Sequence, residues 1–462
     1  MGRVPRSLRT VSASPSYAWA VTDGAFSPRF RVATVGVFAL GFLIAFEALA
    51  VTTAMPLAAR DLHGTSVYAL TFSSFSAAGV IGNVAGGAWS DRSGPARTLL
   101  VGVVLFAAGL LLAGTAWTMP VLIAGRTLQG LGAGGIGVAL YVLVARVYPE
   151  RLHPRVFALL AAAWVLPSLI GPFAAGAVST LLSWHWVFLG ILPLVAGSTA
   201  LLLPQLRRNP MPGSGDRMPA SRLAWSVAAA VALLAMRPLL DVPAVGPVLA
   251  ALAAVAAIAA LRPLLPKGAL RAARGLPSVI VARGLFSAGF AAADAYLPYS
   301  LIALRDLSPV VAGGITTVGA VSWATGSELQ SRLSGRLTDR QCIGIGAGVF
   351  FAGAVVVGAG TATALIPLVV VGWLLAGLGI GTAYPRLSTS TLALSAPEAR
   401  GRNSAALQIG DGFGNGLALT LVGVIAVAVP GQEFAAAFGL AALLGLLVVL
   451  VAPRTSARPL TR

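Results

Sequence analysis

The sequence predicts an all-α integral membrane protein made of two six-helix bundles with two extra helices between them. Three observations carry this. Of 462 residues, 57% are hydrophobic and only 10% charged, whereas soluble globular chains run near a quarter charged, so a water-soluble fold would have too little polar surface to cover its apolar one. Mean hydropathy is +0.87, and apolar runs of the roughly 20 residues needed to cross a ~30 Å hydrocarbon core recur along nearly the whole length. Two short motifs also recur about half a chain apart, which marks a duplicated half.

Apolar runs between charged or Pro/Gly-rich breaks lie near 31–56, 67–90, 97–116, 119–145, 156–180 and 185–205, and again near 277–303, 309–331, 343–361, 364–385, 403–428 and 432–452. Residues 206–222 are polar, with Pro, Gly and four arginines, and read as a linker. Two further runs follow. Residues 223–240 are interrupted by Arg237 and Pro238, and the Ala-rich run 244–261 completes a tight transmembrane hairpin around Asp241. Fourteen spans are favoured over twelve. The chain then divides into a tail 1–29, a first bundle 30–205, a linker with the extra pair 206–275, a second bundle 276–453 and a tail 454–462. The first tail carries Arg3, Arg6, Arg9 and Arg29 with no apolar core between them, unlike a cleavable signal peptide.

A net charge of +18 would suggest nucleic-acid binding in a soluble chain. Here the arginines gather in alternate short loops, the pattern that cytoplasmic loops acquire on insertion. Arg92 and Arg97, then Arg146, Arg151 and Arg155, then Arg207, Arg208, Arg217 and Arg222 fall on one side, as do Arg332, Arg336 and Arg340 further on. Both termini are thereby placed in the cytoplasm, and no nucleic-acid partner is implied. One cysteine, Cys342, excludes an intramolecular disulfide, and His63, His153 and His185 are too scattered for a metal cluster. No cofactor is expected. The wealth of Arg, Ala and Gly beside a single lysine points to a bacterial cytoplasmic membrane.

The repeat rests on two matches. Gly87-Ala-Trp-Ser-Asp91-Arg92 answers Gly335-Arg-Leu-Thr-Asp339-Arg340 at an offset of 248, and Gln129-Gly130-Leu131-Gly132-Ala133-Gly134 answers Ala376-Gly377-Leu378-Gly379-Ile380-Gly381 at 247. Parallel halves of this kind place a midplane site at their interface and rock about it.

The first motif, with Gly94 and Arg97, resembles the loop motif G-x-x-x-D-[RK]-x-G-[RK]-[RK] of the major facilitator superfamily, without basic residues at Pro95 and Ala96. Arg126-Thr-Leu-Gln129-Gly130-Leu-Gly132 resembles its R-x-x-Q-G-x-G element, associated with proton coupling. Gly171-Pro172-Phe-Ala-Ala-Gly176 resembles the G-P-x-x-G-G element of drug:proton antiporters, with Ala175 for one glycine. Glu47 through Pro56 keeps the spacing of the L-D-x-T-x-x-N-x-A-L-P signature of the fourteen-span branch, with Glu for Asp and no Asn. Ser183-Trp184-His185-Trp186-Val187-Phe188 resembles that branch's S-W-R-W-[IV]-F. The resemblance covers residues 30–453. It implies the major facilitator fold, a monomer, and export of small lipophilic or cationic molecules in exchange for protons.

Residue chemistry supports the same expectation. A charge at a span centre costs about 2.5–3.5 kcal/mol even on insertion scales, so intramembrane charges are kept for a reason. Glu47, Asp294 and Asp411 are the candidate proton carriers, and Arg126 is the cation that would answer one of them. At the equivalent of Arg126 the second half has Trp373. Asp91 and Arg92, with Asp339 and Arg340, are suited to latching the halves through helix ends and charge-assisted hydrogen bonds. Gly171, Pro172, Gly176 and Pro167 would bend the fifth span. Gln129, Tyr141, Trp164, Tyr296, Tyr299, Trp323 and Phe413 are candidates to line a cavity for aromatic or lipophilic cargo. Two alternatives remain: a carrier of one endogenous metabolite in either direction, and a membrane sensor or scaffold. No nucleophile–base pair, metal-ligand spacing or phosphate loop argues for an enzyme.

Overall fold

The computed structural model describes residues 24–28, 30–149, 152–208, 219–333, 336–396 and 399–456. Within them fourteen long helices follow one another: α1 (Arg31–Asp61), α2 (Tyr68–Ser93), α3 (Pro95–Gly114), α4 (Met119–Val147), α5 (His153–Leu181), α6 (Leu192–Arg208), α7 (Ala220–Leu240), α8 (Gly246–Leu261), α9 (Leu276–Arg305), α10 (Pro309–Arg332), α11 (Asp339–Thr363), α12 (Ile366–Ala393), α13 (Arg400–Ala428) and α14 (Glu433–Val451). A five-residue helix, His185–Leu189, leads into α6. The described residues form no sheet. The loops after odd-numbered helices define one end of the bundle, here the odd end, and those after even-numbered helices the even end.

Thirteen of these segments are long and apolar enough to cross a bilayer. The fourteenth, α10, is clasped between α5 and α12, and its Thr316 and Ser322 are buried in those contacts, while Thr325 and Glu328 are exposed, Glu328 pairing with Arg332 at the even end. All fourteen expected spans are helices, but several run further than the sequence suggested. α1 continues past Pro56 to Asp61, and α12 past Pro385 to Ala393. A proline removes a single helical hydrogen bond, and packed neighbours in a membrane allow the helix to resume.

The duplicated glycine motif explains itself in the packing. Gly130 and Gly134 lie one turn apart on α4 and bring it against the α2 backbone at Phe75 and Gly79, while Gly132 faces the other way, onto Gly102 and Phe106 of α3. In the second half Gly377 and Gly381 approach Gly319 and Trp323 of α10, and Gly379 approaches Gly346 and Phe350 of α11. A side chain at any of these positions would meet backbone, which cannot rotate away. Gly130→Leu is therefore expected to destabilise the first bundle by about 1–3 kcal/mol through overpacking, seen as a lowered unfolding temperature of the purified protein. Unchanged melting would refute the close approach.

The two halves meet along two seams, α5 against α10 and α2 against α13, with α1 touching α9. At the odd end the Tyr68 hydroxyl donates to the Ala295 carbonyl at 2.7 Å. The Tyr68 ring lies 4.5 Å from that of Tyr299 and 5.3 Å from that of Tyr296, and Phe434 packs on both. The α7–α8 hairpin leans on the α2/α13 seam. Ala229, Ala230 and Leu233 of α7 form one apolar cluster with Ala77, Val80 and Val84 of α2 and Ile409 and Phe413 of α13. An Arg237–Asp241 ion pair, 2.6 Å, spans its turn.

Candidate functional site

Arg126 and Gln129 are three residues apart on α4 and share one face. That face meets Glu47 of α1. Arg126 forms an ion pair with Glu47, its Nη1 donates to Gln129 Oε1 at 2.6 Å, its Nε donates to the Thr71 carbonyl of α2 at 3.3 Å, and its guanidinium lies 4.4 Å from the centre of the Phe75 ring. Glu47 and Gln129 are fully buried and Arg126 is 1% exposed. Glu47 Oε2 and Gln129 Nε2 have no hydrogen-bond partner among the described residues. The first half thus encloses a charged pair with polar capacity to spare.

The second half solves the same packing without charge. Trp373 donates its ring N–H to the Thr316 carbonyl at 3.0 Å, as Arg126 does to the Thr71 carbonyl, and the α9 side chain stacked on it, where Arg126 meets Glu47 of α1, is Phe290, at 5.4 Å and 21°. Asp294 follows one turn after Phe290. It is 7% exposed, makes no hydrogen bond or ion pair among the described residues, and lies within electrostatic reach of Tyr68 across the seam.

Asp411 is placed in a third cluster whose centre the sequence reading missed. Arg283 of α9 donates through Nε to Asp411 Oδ2 at 3.0 Å and Oδ1 at 3.3 Å, pairs through Nη2 with Oδ2 at 3.0 Å, and hydrogen-bonds Ser388 of α12. Its guanidinium sits 3.9 Å from the centre of the Tyr384 ring, while the Tyr384 hydroxyl donates to Asp411 Oδ2 at 2.9 Å. One turn on, Ser287 donates to Asn415 Oδ1 at 2.8 Å. The signal was available, since Arg283 stands inside the run 277–303 just as Arg126 stands inside its own span.

The loop-motif residues sit at the even end. Gly94 alone separates α2 from α3, and its φ of +84° is one that favours glycine. Asp91, Arg92 and Arg97 are exposed. In the second half Asp339, the first residue of α11, pairs with Arg386 of α12 at 3.2 Å and accepts from Ser390 at 2.8 Å, a tie within one half. Arg340 is exposed, and Gly335 lies outside the described residues. A cleft of about 520 Å³ beside Asp339, lined also by Gln341 and Thr455, is remote from the buried acids.

Pro172 and Gly176 of α5 mark the crossing with α10. The Gly176 face meets the Pro309 carbonyl, and Gly313 meets that of Pro172, whereas Gly171 has looser neighbours, Ala50 and Phe46, at 3.7 Å. Of the candidate aromatics, Tyr296 and Tyr299 belong to the odd-end cluster, and Phe413 packs in the α2/α13 seam beside α7. Trp323 lies edge-on to Phe290 and Tyr384, at 5.1 and 5.9 Å. Tyr141 and Trp164 are about half exposed, and Tyr141 is within electrostatic reach of Arg283. Trp184 holds the α5–α6 connection by donating to Asp61 at 3.0 Å.

Two pseudo-repeated helical bundles joined at seams form a multi-pass membrane protein, and the family it matches and its relatives make it a transporter and not an enzyme. The chain belongs to the Major Facilitator Superfamily, whose model matches residues 37–340. It is 29% identical over 413 residues to a "Probable multidrug-efflux transporter" of Mycobacterium tuberculosis, covering 84% of this chain and 85% of that one. An "Acurin A biosynthesis cluster MFS-type transporter" of Aspergillus aculeatus is 30% identical over 183 residues, 39% of this chain and 33% of the other. Among solved structures, a POT family transporter in complex with 5-aminolevulinic acid superposes with a TM-score of 0.69 at 13% identity, covering 91% of this chain and 94% of that one. A second, in complex with a thioalcohol conjugated peptide, gives 0.70 at the same identity and coverage. These structures share the fold.

Proposed function

We propose that this transporter exports small lipophilic or cationic compounds in exchange for protons, by alternating access, in a bacterial cytoplasmic membrane with its even end and both termini in the cytoplasm. The observation that carries the coupling is the enclosed Glu47–Arg126 pair, with one carboxylate oxygen left without a partner. A proton arriving on Glu47 Oε2 cancels the carboxylate charge, weakens its hold on Arg126, and leaves the guanidinium to Gln129 and the Thr71 carbonyl. α1 is thereby loosened from α4 and α2, the movement that alternating access requires. Asp294, without a counter-cation and beside the odd-end tyrosines, is the second proton carrier. Each proton moving inward gains about 2.3 kcal/mol per 100 mV of membrane potential. Export is supported by the names of the mycobacterial relatives and by the Gly171-Pro172 element of α5.

The test is proton movement in proteoliposomes under an imposed pH gradient, with ethidium and other lipophilic cations as cargo. Cargo-dependent proton release is expected from the wild type and is lost in Glu47→Gln. Loss confined to Asp294→Asn would move coupling to the second half, and absence of proton movement with every cargo would defeat the proposal.

A further inference from the structure

We infer that the Arg283 cluster is a binding site for a planar organic cation, of amidinium or guanidinium type, held at rest by the protein's own arginine. This rests on the export reading above and names the chemistry of its cargo.

Every element of the site is one that recognises such a cation. The Asp411 carboxylate presents both oxygens to a planar fork of N–H donors, the Tyr384 ring lies 3.9 Å beneath the guanidinium, and the Ser388 hydroxyl accepts at its edge. The Tyr384 hydroxyl, 2.9 Å from Asp411, fixes the carboxylate in plane. Trp323, edge-on to Tyr384 at 5.9 Å, extends the aromatic wall for a flat apolar body. The fold does not demand this cluster. At the offset of 247, Tyr384, Ser388 and Asp411 answer to Gly137, Tyr141 and Trp164, and α1 has no basic residue between Arg31 and Arg60 to answer Arg283. The first bundle forms without it.

The cluster also faces the other half. Arg283 and Asp411 side chains are 14% and 16% exposed, and Tyr141 of α4 lies within electrostatic reach of Arg283. A cargo cation that takes the Asp411 carboxylate and the Tyr384 face displaces the guanidinium toward Tyr141, so that occupancy in one half is felt by the other. Arg283 is then a tethered competitor, setting affinity low enough for release.

The experiment measures calorimetric binding of benzamidinium to the purified full-length protein, with neutral benzamide and anionic benzoate as controls. Benzamidinium is expected to bind and benzamide and benzoate not to. Removing a tethered competitor raises apparent affinity, so Arg283→Gln should tighten benzamidinium binding about tenfold, and Asp411→Asn should abolish it in either background. Arg283→Lys, which keeps a cation but loses the planar fork, should fall between wild type and Gln, and it serves as the test if Arg283→Gln does not fold. Unchanged or weaker binding in these Arg283 variants, equal binding of benzamide, or benzoate binding that depends on Arg283 would each overturn the inference. Ethidium efflux measured in parallel separates the two readings. Benzamidinium binding that responds to Arg283 without efflux would defeat export alone, and efflux without that binding would defeat this site alone.

Discussion

Arg126→Met is expected to destabilise the protein by about 3–5 kcal/mol, because it strands the Glu47 carboxylate, fully buried, with no cation to offset its lost hydration. The second half shows how to avoid that cost. There the two corresponding positions hold Phe290 and Trp373, an uncharged pair that keeps the hydrogen bond from the α12 side chain to the α10 carbonyl. The double variant Glu47→Phe, Arg126→Trp should therefore recover most of the stability lost by Arg126→Met, since exchanging a buried ion pair for packed apolar groups is often neutral. Cargo-dependent proton release should stay absent in it. Thermal unfolding in detergent and proteoliposome assays on the same preparations check both halves of the expectation. If the double variant melts as low as Arg126→Met, the two pairs are not equivalent; if it still couples protons, the charge at Glu47 has no part in coupling.

Gly313→Leu is expected to act on transport more than on stability. Gly313 of α10 faces the Pro172 carbonyl of α5, across the seam between the halves at the odd end. A leucine there forces the helices apart where closure requires contact. An overpacking penalty of about 1–3 kcal/mol falls on the closed arrangement alone, which shifts the balance between the two arrangements by roughly 5- to 150-fold. Cysteine pairs engineered across the odd end should crosslink more slowly in Gly313→Leu, and efflux should fall in proportion. The substitution at Gly314, which has open space around it, is the control. Equal crosslinking in both would mean that the seam does not close through this contact.

The helical architecture was legible because each span repeats one statement, an apolar run of bilayer length, and the loops repeat another in their arginines. Helix ends were less so: Pro56 and Pro385 read as stops in a sequence, yet the helices pass through them because their neighbours absorb the missing hydrogen bond. Glu47, Arg126 and Gln129 were visible as polar residues in apolar runs, but their union is a contact across 79 residues between Glu47 and Arg126 that no local periodicity encodes. The same holds for Arg283 and Asp411, 128 residues apart. Asp411 attracted notice by its charge, and Arg283 was hidden among arginines that orient the chain. That Phe290 packs on Trp373 as Glu47 pairs with Arg126 was beyond a fixed offset, since Glu47 and Phe290 are 243 positions apart and Arg126 and Trp373 are 247 apart.

The α7–α8 hairpin shields one seam with protein, while among the described residues no comparable helix pair packs on the α5/α10 seam opposite. In a bilayer, lipid would therefore border the two seams unequally. Along α2 and α13 the neighbours are side chains such as Leu233, close enough that a Cβ at Gly416 would lie 3.3 Å from its Cδ1; along α5 and α10 they would be acyl chains. With the halves rocking as proposed, bilayer thickness is expected to bear on turnover chiefly through the α5/α10 seam, which efflux from proteoliposomes of different lipid chain length would check.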